Sequence, residues 1–256
     1  MSEAPEPRHY RLRQMRTAAV LPVKSFARAK QRLGQSVADP LRLELARAMV
    51  ADVLLALTQS EAIERTIVVT REDSVAHAAR ELGAIIVEDE IESGQSAAAS
   101  LGVRRALSEG IERVLCVPGD CPALDPAELD ALLSRPVPGA GESSHGEEQA
   151  AEFPAEVVIV PDRHGTGTNG LLLCPPDVIE PSFGPGSCAR HQQLAHDAGV
   201  AARLERPPSL LLDIDTGADL AALRDRLAGQ TARASRTRGV LGQHERTNVI
   251  SISTPA

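Results

Sequence analysis

The chain has 256 residues, 43% of them hydrophobic and 24% charged, with a formal net charge of −8. That supplies one large α/β domain with its own core, while a net acidic chain with no basic patch in its folded part excludes nucleic acid and anionic membrane as partners. No segment approaches the ~20 apolar residues of a membrane span, and the cysteines at 116, 121, 174 and 188 lack metal spacing or a secretory framework, so reduced thiols and a cytoplasmic location are expected.

Residues 1–15, with Pro5, Pro7 and scattered charge, read as a flexible tail. Thr17 to Val23 is a continuous apolar run of the kind that forms strands buried on both faces. The loop after it carries Lys24, Lys30 and Arg32, and Lys24 and Lys30 are the only lysines among 27 basic residues. Compact ammonium groups, in a chain that otherwise uses arginine, suit a phosphate cradle. The plain alternative is a solvated basic loop. It is not a P-loop, since no Gly-x-x-x-x-Gly-Lys-Ser/Thr occurs. Asp39-Pro40 opens a helix whose Leu41, Leu45, Met49, Val53 and Leu57 recur every fourth residue. A strand over 65–70, a helix over 73–82 and a strand over 84–87 follow, and the acids at 88–92 read as a solvated turn. Gly94-Gln95-Ser96 opens a helix to about 109, where the glycine either lets the backbone approach a sugar or base or simply caps the helix.

The apolar run from Val114 stops at Pro118-Gly119-Asp120, a strand leading into a tight turn with one carboxylate at its C-terminal end. Ligands bind at that edge of an open parallel sheet. Asp125, Pro126 and Glu128 predict an N-cap, a first-position proline and a capping box, so Asp120 sits between two rigid elements. It suits a divalent cation held against phosphates, or it is a turn aspartate. Residues 135–154, rich in Pro, Gly, Ser and Glu, read as a flexible acidic insertion. A strand over 156–160 leads into Gly165-Thr166-Gly167-Thr168-Asn169, a source of amides and hydroxyls for an anion, and a strand over 170–174. Gly184-Pro185-Gly186-Ser187 precedes a helix over 188–198, which makes Ser187 the expected N-cap and a candidate phosphate or carboxylate site. His164, His191 and His196 read as surface residues. Short strands are expected over 201–204 and 210–212, the second ending at Asp213 and Asp215, carboxylates that could share magnesium with Asp120. From 229 the chain reads as a disordered tail.

Together, Leu21-Pro22-Val23-Lys24-Ser25-Phe26, Ala29-Lys30 and Arg32-Leu33, then Pro118-Gly119-Asp120-Cys121-Pro122, Asp162 to Asn169, Phe183 to Ser187 and Leu212-Asp213-Ile214-Asp215-Thr216, resemble the guanylyltransferases of deazaflavin coenzyme F-420 biosynthesis. The resemblance spans about 17–228. It implies a doubly wound, mostly parallel α/β sheet of the nucleotidyltransferase type over 16–228, and transfer of GMP from GTP to phosphoenolpyruvate, or to 2-phospho-L-lactate, with release of pyrophosphate. Carried over by residue, Thr168, Gly184 and Ser187 would bind phosphoenolpyruvate. Pro22, Lys24, Lys30, Gly94 and Gly119 would face the nucleotide, Asp120, Asp213 and Asp215 would hold Mg2+, and Lys24, Lys30 and Asp120 would be catalytic. The chain departs from the pattern at Gly94-Gln95-Ser96, where relatives tend to have Gly-Leu-Asn. A rival from another class is a nucleotide-sensing module without turnover, and a related transferase using CTP or a sugar phosphate is a further alternative. The expected partners are small molecules, with a homodimer left open.

Overall fold

The computed structural model describes residues 15–26, 33, 38–135, 154–228 and 233–252, with side chains of the last segment described to 243. Lys30, Arg32, residues 1–14 of the expected tail and residues 136–153 of the acidic insertion lie outside the described residues. Seven strands, β1 (Thr17–Val23), β2 (Arg65–Thr70), β3 (Ile85–Glu88), β4 (Arg113–Cys116), β5 (Glu156–Pro161), β6 (Thr168–Cys174) and β7 (Ala201–Leu204), form one sheet in the order β3-β2-β1-β4-β6-β5-β7. Only β6 runs against its neighbours; β1–β2, β1–β4, β2–β3 and β5–β7 are parallel. The doubly wound α/β expectation is met. Strand order reverses direction beside β1, so the crevice beyond the C-terminal ends of β1 and β4 is a topological switch point.

The helices are α1 (Asp39–Gln59), α2 (Asp73–Glu81), α3 (Gln95–Ser108), α4 (Pro126–Leu133), α5 (Ser187–Asp197), α6 (Gly217–Leu227) and α7 (Ser235–Ile252). Successive strand residues point to opposite faces. Ala19, Leu21, Val68, Leu115 and Leu172 therefore pack with Val53, Leu57 and Leu129 of α1 and α4. Ala18, Val20, Ile67, Val114 and Leu171 pack on the other face with Ala99 and Val103 of α3 and Ala195 of α5. Contact between α3 and the sheet is so close that a Cβ on Gly102 would lie 2.3 Å from Val20 Cγ1.

A third cluster corrects the expected disordered tail. Leu41, Leu45 and Met49 project from α1 away from the sheet and pack with Leu220 and Leu223 of α6 and Leu241 of α7. Asp52, buried in α1, accepts hydrogen bonds from the Arg236 and Thr237 amides at 3.2 and 2.8 Å, so a side chain from α1 satisfies donors at the start of α7. Residues 210–212 also differ from expectation. Leu210 ends a 3-10 turn (Pro208–Leu210) that follows Pro207, residues 211–212 are not in a strand, and the Leu210 carbonyl accepts from the side-chain amide Nδ2 of Asn169 in β6 and not from a strand backbone amide. Asp125 caps α4 as expected, its Oδ1 accepting from the Ala127 amide at 3.1 Å. The expected capping box is not made: Glu128 accepts from the Ser209 amide instead, tying α4 to the 3-10 turn.

Candidate functional site

Two lobes of one cleft open at the switch point. The first, about 270 Å³, is lined by Pro22, Val23 and Lys24 from the end of β1, by Phe26, by Ala46, Met49 and Val50 of α1, and by Gly119. The second, about 550 Å³, is lined by Asp162, Thr166 to Asn169, Phe183 to Pro185, Ser187 and Asp213. Gln95, Pro118, Asp120 and Asp215 line both, and volumes of this size suit small-molecule ligands.

The shared carboxylates are held by backbone. The Ile214 amide donates to the Asp120 carbonyl at 3.0 Å, fastening the loop after β4 to the loop before α6. Beyond it, Thr216 caps α6 in a capping box with Asp219, whose Oδ2 also accepts from the Asp215 amide. Asp213 is the electrostatically burdened member. Burial pushes its carboxyl above the usual range, the negative charges of Asp120 and Asp215 push the same way, and Asn169 Nδ2 opposes them with a 3.1 Å hydrogen bond. The three expected magnesium ligands thus converge on the cleft. Among the described residues, no three acidic, histidine or cysteine groups form a preassembled metal cluster.

The lysine loop is braced from the side. Glu92 Oε1 accepts from the Ser25 amide at 2.8 Å and Glu72 Oε1 from the Phe26 amide at 2.7 Å. Asp89 is 6% exposed and its Oδ1 accepts from the Glu92 amide, so two of the acids at 88–92, Asp89 and Glu92, brace the loop carrying Lys24, while Glu88 and Glu90 are exposed as the solvated turn was expected to be. Lys24 is exposed at the first lobe. Gly94 lines neither lobe; with φ +121° it turns the chain into α3 and leaves Gln95 on the cleft wall. Ser96 Oγ accepts from the Phe183 amide at 2.8 Å, so it ties α3 to the second lobe's loop.

That loop runs through Gly184 and Gly186, at φ +113° and +71°, conformations that suit glycine. Arg190 clamps it by donating to the Pro185 and Ser182 carbonyls at 2.8 and 2.9 Å. Ser187 is not the N-cap, as expected, but the first residue of α5; left-handed Gly186 occupies the cap position. The Ser187 hydroxyl donates instead to Thr168 Oγ1 at 3.0 Å. Across the lobe, Asp162 accepts from the Thr166 and Gly167 amides, and these bonds hold its carboxyl below the usual range although burial, the largest influence, acts the other way.

Sequence reasoning missed three residues here. His191, expected at the surface, is fully buried, 3.1 Å from Thr168 Oγ1 through Nδ1 and 2.9 Å from the Ser182 amide through Nε2. Its four-residue spacing from Ser187 puts both on one face of α5, which was the available signal. Asn169 and Asp162 lay inside a recognised motif, but nothing in the spacing showed which carbonyl, carboxylate or amide each would meet.

Residues 17–237 match the family model of CofC-like guanylyl transferases. The chain is 47% identical over 234 residues to a phosphoenolpyruvate guanylyltransferase from Conexibacter woesei, covering 91% of this chain and 99% of that protein. A phosphoenolpyruvate guanylyltransferase from Rubrobacter xylanophilus is 40% identical over 210 residues, 82% of this chain and 94% of that one. Among solved structures, a protein assigned as a nucleotide-diphospho-sugar transferase from Desulfovibrio desulfuricans G20 superposes with a TM-score of 0.67 at 15% identity, covering 91% and 96% of the two chains. The CMP:2-keto-3-deoxy-manno-octonic acid synthetase complexed with CTP superposes with a TM-score of 0.53 at 14% identity, covering 84% and 99%. These two likenesses show the fold.

Proposed function

Because the chain belongs to the CofC-like guanylyltransferase family, we propose that it transfers GMP from GTP to phosphoenolpyruvate, with Mg2+, in coenzyme F-420 biosynthesis. The observation that carries the reading is the sharing of Asp120 and Asp215 by two lobes, so that a nucleotide on one side and a small anionic acid on the other meet at one carboxylate pair. In the first lobe, Phe26, Met49 and Val50 offer apolar wall to a base, and Lys24 offers a point charge to the polyphosphate. In the second, Thr168, Ser187 and the turn amides take the acid's phosphate and carboxylate.

A phosphate oxygen of phosphoenolpyruvate attacks the α-phosphorus of GTP in line. One P–O bond forms, the bond from that phosphorus to the β-phosphate oxygen breaks, and pyrophosphate leaves with the electron pair. No side-chain nucleophile is needed; the protein aligns two anions and excludes water. Asp120 and Asp215 suit Mg2+, which takes one or two carboxylates and completes its shell with phosphate oxygens and water. When bound, the ion supplies charge neutralisation of the developing pyrophosphate.

The test is pyrophosphate release from GTP, phosphoenolpyruvate and Mg2+ together, with each omitted in turn and with 2-phospho-L-lactate or CTP substituted. The full mixture should be fastest, and Asp120→Asn should melt like the parent while losing about 100-fold or more in turnover. A near-parental rate for Asp120→Asn at saturating Mg2+, or a preference for another nucleotide, would overturn the reading.

A further inference from the structure

Beneath the second lobe lie three buried side chains that make one hydrogen-bonded row. Ser187 is 1%, Thr168 7% and His191 0% exposed. Ser187 Oγ and Thr168 Oγ1 are 3.0 Å apart, Thr168 Oγ1 and His191 Nδ1 3.1 Å, and the far nitrogen of the ring, Nε2, receives the Ser182 amide at 2.9 Å. The ring also stands edge-on to Phe183, with centroids 5.3 Å apart.

The direction of this row follows from proton counting. A backbone amide can only donate, so Nε2 must be the acceptor nitrogen, and a neutral imidazole then carries its proton on Nδ1. That proton has Thr168 Oγ1 as its partner. The two hydroxyls own two protons between them, and the 3.0 Å link uses one, whichever way it points. The other has no partner within the row, and both side chains line the lobe, where an incoming ligand can accept it. With the opposite tautomer, Nδ1 would accept a hydroxyl proton, both hydroxyl protons would be used internally, and the pair would offer an incoming anion only lone pairs. Burial keeps the ring neutral, with a pKa lowered to about 4, and the positive charge of Arg190 acts in the same direction. A protonated ring would set a second donor against the Ser182 amide.

We infer that His191 is a positioning residue: its Nδ1–H, fixed as a donor by the Ser182 amide on the opposite nitrogen, makes the Thr168–Ser187 hydroxyl pair a net donor to an anionic oxygen of the small acid. This rests on the reading of the second lobe as the acid's binding place, and it adds a specificity device. The lobe selects a fully ionised phosphate or carboxylate over a ligand that presents a donor at the same point, because such a donor would face the hydroxyl proton.

The test pairs a direct observation with two substitutions. Nitrogen-detected NMR of the ring, assigned by its loss in His191→Gln, should show a neutral imidazole protonated at Nδ1; a proton on Nε2 would overturn the inference without reference to any activity. Asparagine places an amide donor near the Nδ1 position, whereas glutamine reaches the Nε2 position and leaves Thr168 without its donor. His191→Gln should raise KM for phosphoenolpyruvate about 10- to 100-fold, as expected for a lost bond to a charged group, with KM for GTP within about twofold. His191→Asn should recover most of that loss. If the ring only anchored Ser182, glutamine would be the better replacement, and that order would refute the inference, as would equal changes in both KM values. If the parent protein released no pyrophosphate from phosphoenolpyruvate, the proposed function would fail while the tautomer measurement still decided the role of His191.

Discussion

Replacing Asp52 by alanine removes one buried carboxylate from α1 and deprives two α7 amides of their acceptor at once. The amides belong to Arg236 and Thr237, and the Thr237 side chain is 0% exposed, so water replaces the lost bonds poorly. Losing a helix cap costs about 1–2 kcal/mol, and leaving buried donors unmatched costs about 1–3 kcal/mol in its own right; the two overlap here, and about 2 kcal/mol is expected. For a chain of this length that corresponds to a fall in Tm of about 4–8 °C. Asp52→Asn retains one acceptor oxygen and should cost roughly half as much. Thermal unfolding by circular dichroism gives the stabilities, and limited tryptic digestion reports α7 directly, since its arginines become accessible when it lifts. Met49 belongs both to the cluster under α7 and to the first lobe, so KM for GTP should rise in Asp52→Ala. An unchanged Tm together with unchanged tryptic cleavage would show that α7 is not held by Asp52 and would refute the packing account of the tail.

Asp213→Asn should raise Tm at pH 7, because the fold disfavours the charged carboxylate through burial and the charges of Asp120 and Asp215, while an asparagine oxygen can still accept from Asn169. The same change should lower Mg2+-dependent turnover, and a Tm below the parent's would contradict the electrostatic argument. For His191, with a pKa of about 4 in the fold against an ordinary 6.5, the unfolded chain binds a proton between those pH values that the folded chain refuses. Its contribution to stability is therefore complete above about pH 6.5 and is lost as pH falls toward 4, up to a limit on the order of 3 kcal/mol. Urea unfolding from pH 7 to 4.5 should show a steeper loss in the parent than in His191→Asn, whereas parallel curves would contradict the burial of a neutral ring.

The sheet was legible because its strands are apolar runs that end in turn residues, as at Val114 to Asp120, and because strand–helix alternation admits few topologies. The positions of Asp120, Asp213 and Asp215 followed from the same punctuation. What could not be read were roles settled by residues distant in sequence. Glu92 reads as one of a run of solvated acids until the Ser25 amide is placed 2.8 Å from it. Ser187 has the composition of an N-cap, but Gly186 adopts the left-handed conformation and frees the hydroxyl for Thr168. The tail after 229 lacks a strong period of its own; the signal was in α1, whose Leu41, Leu45 and Met49 make it apolar beyond the stripe facing the sheet and thus require a second cover.

The central claim is that two anions meet at Asp120 and Asp215 and exchange a phosphoanhydride, and phosphorus NMR of the complete reaction tests it most directly. With GTP, phosphoenolpyruvate and Mg2+, the account predicts a mutually coupled pair of diphosphate resonances, one phosphorus linked to guanosine and the other to the enolpyruvyl group, growing in step with free pyrophosphate. Formation of GDP and orthophosphate, or pyrophosphate accompanied by GMP with phosphoenolpyruvate unconsumed, would contradict it.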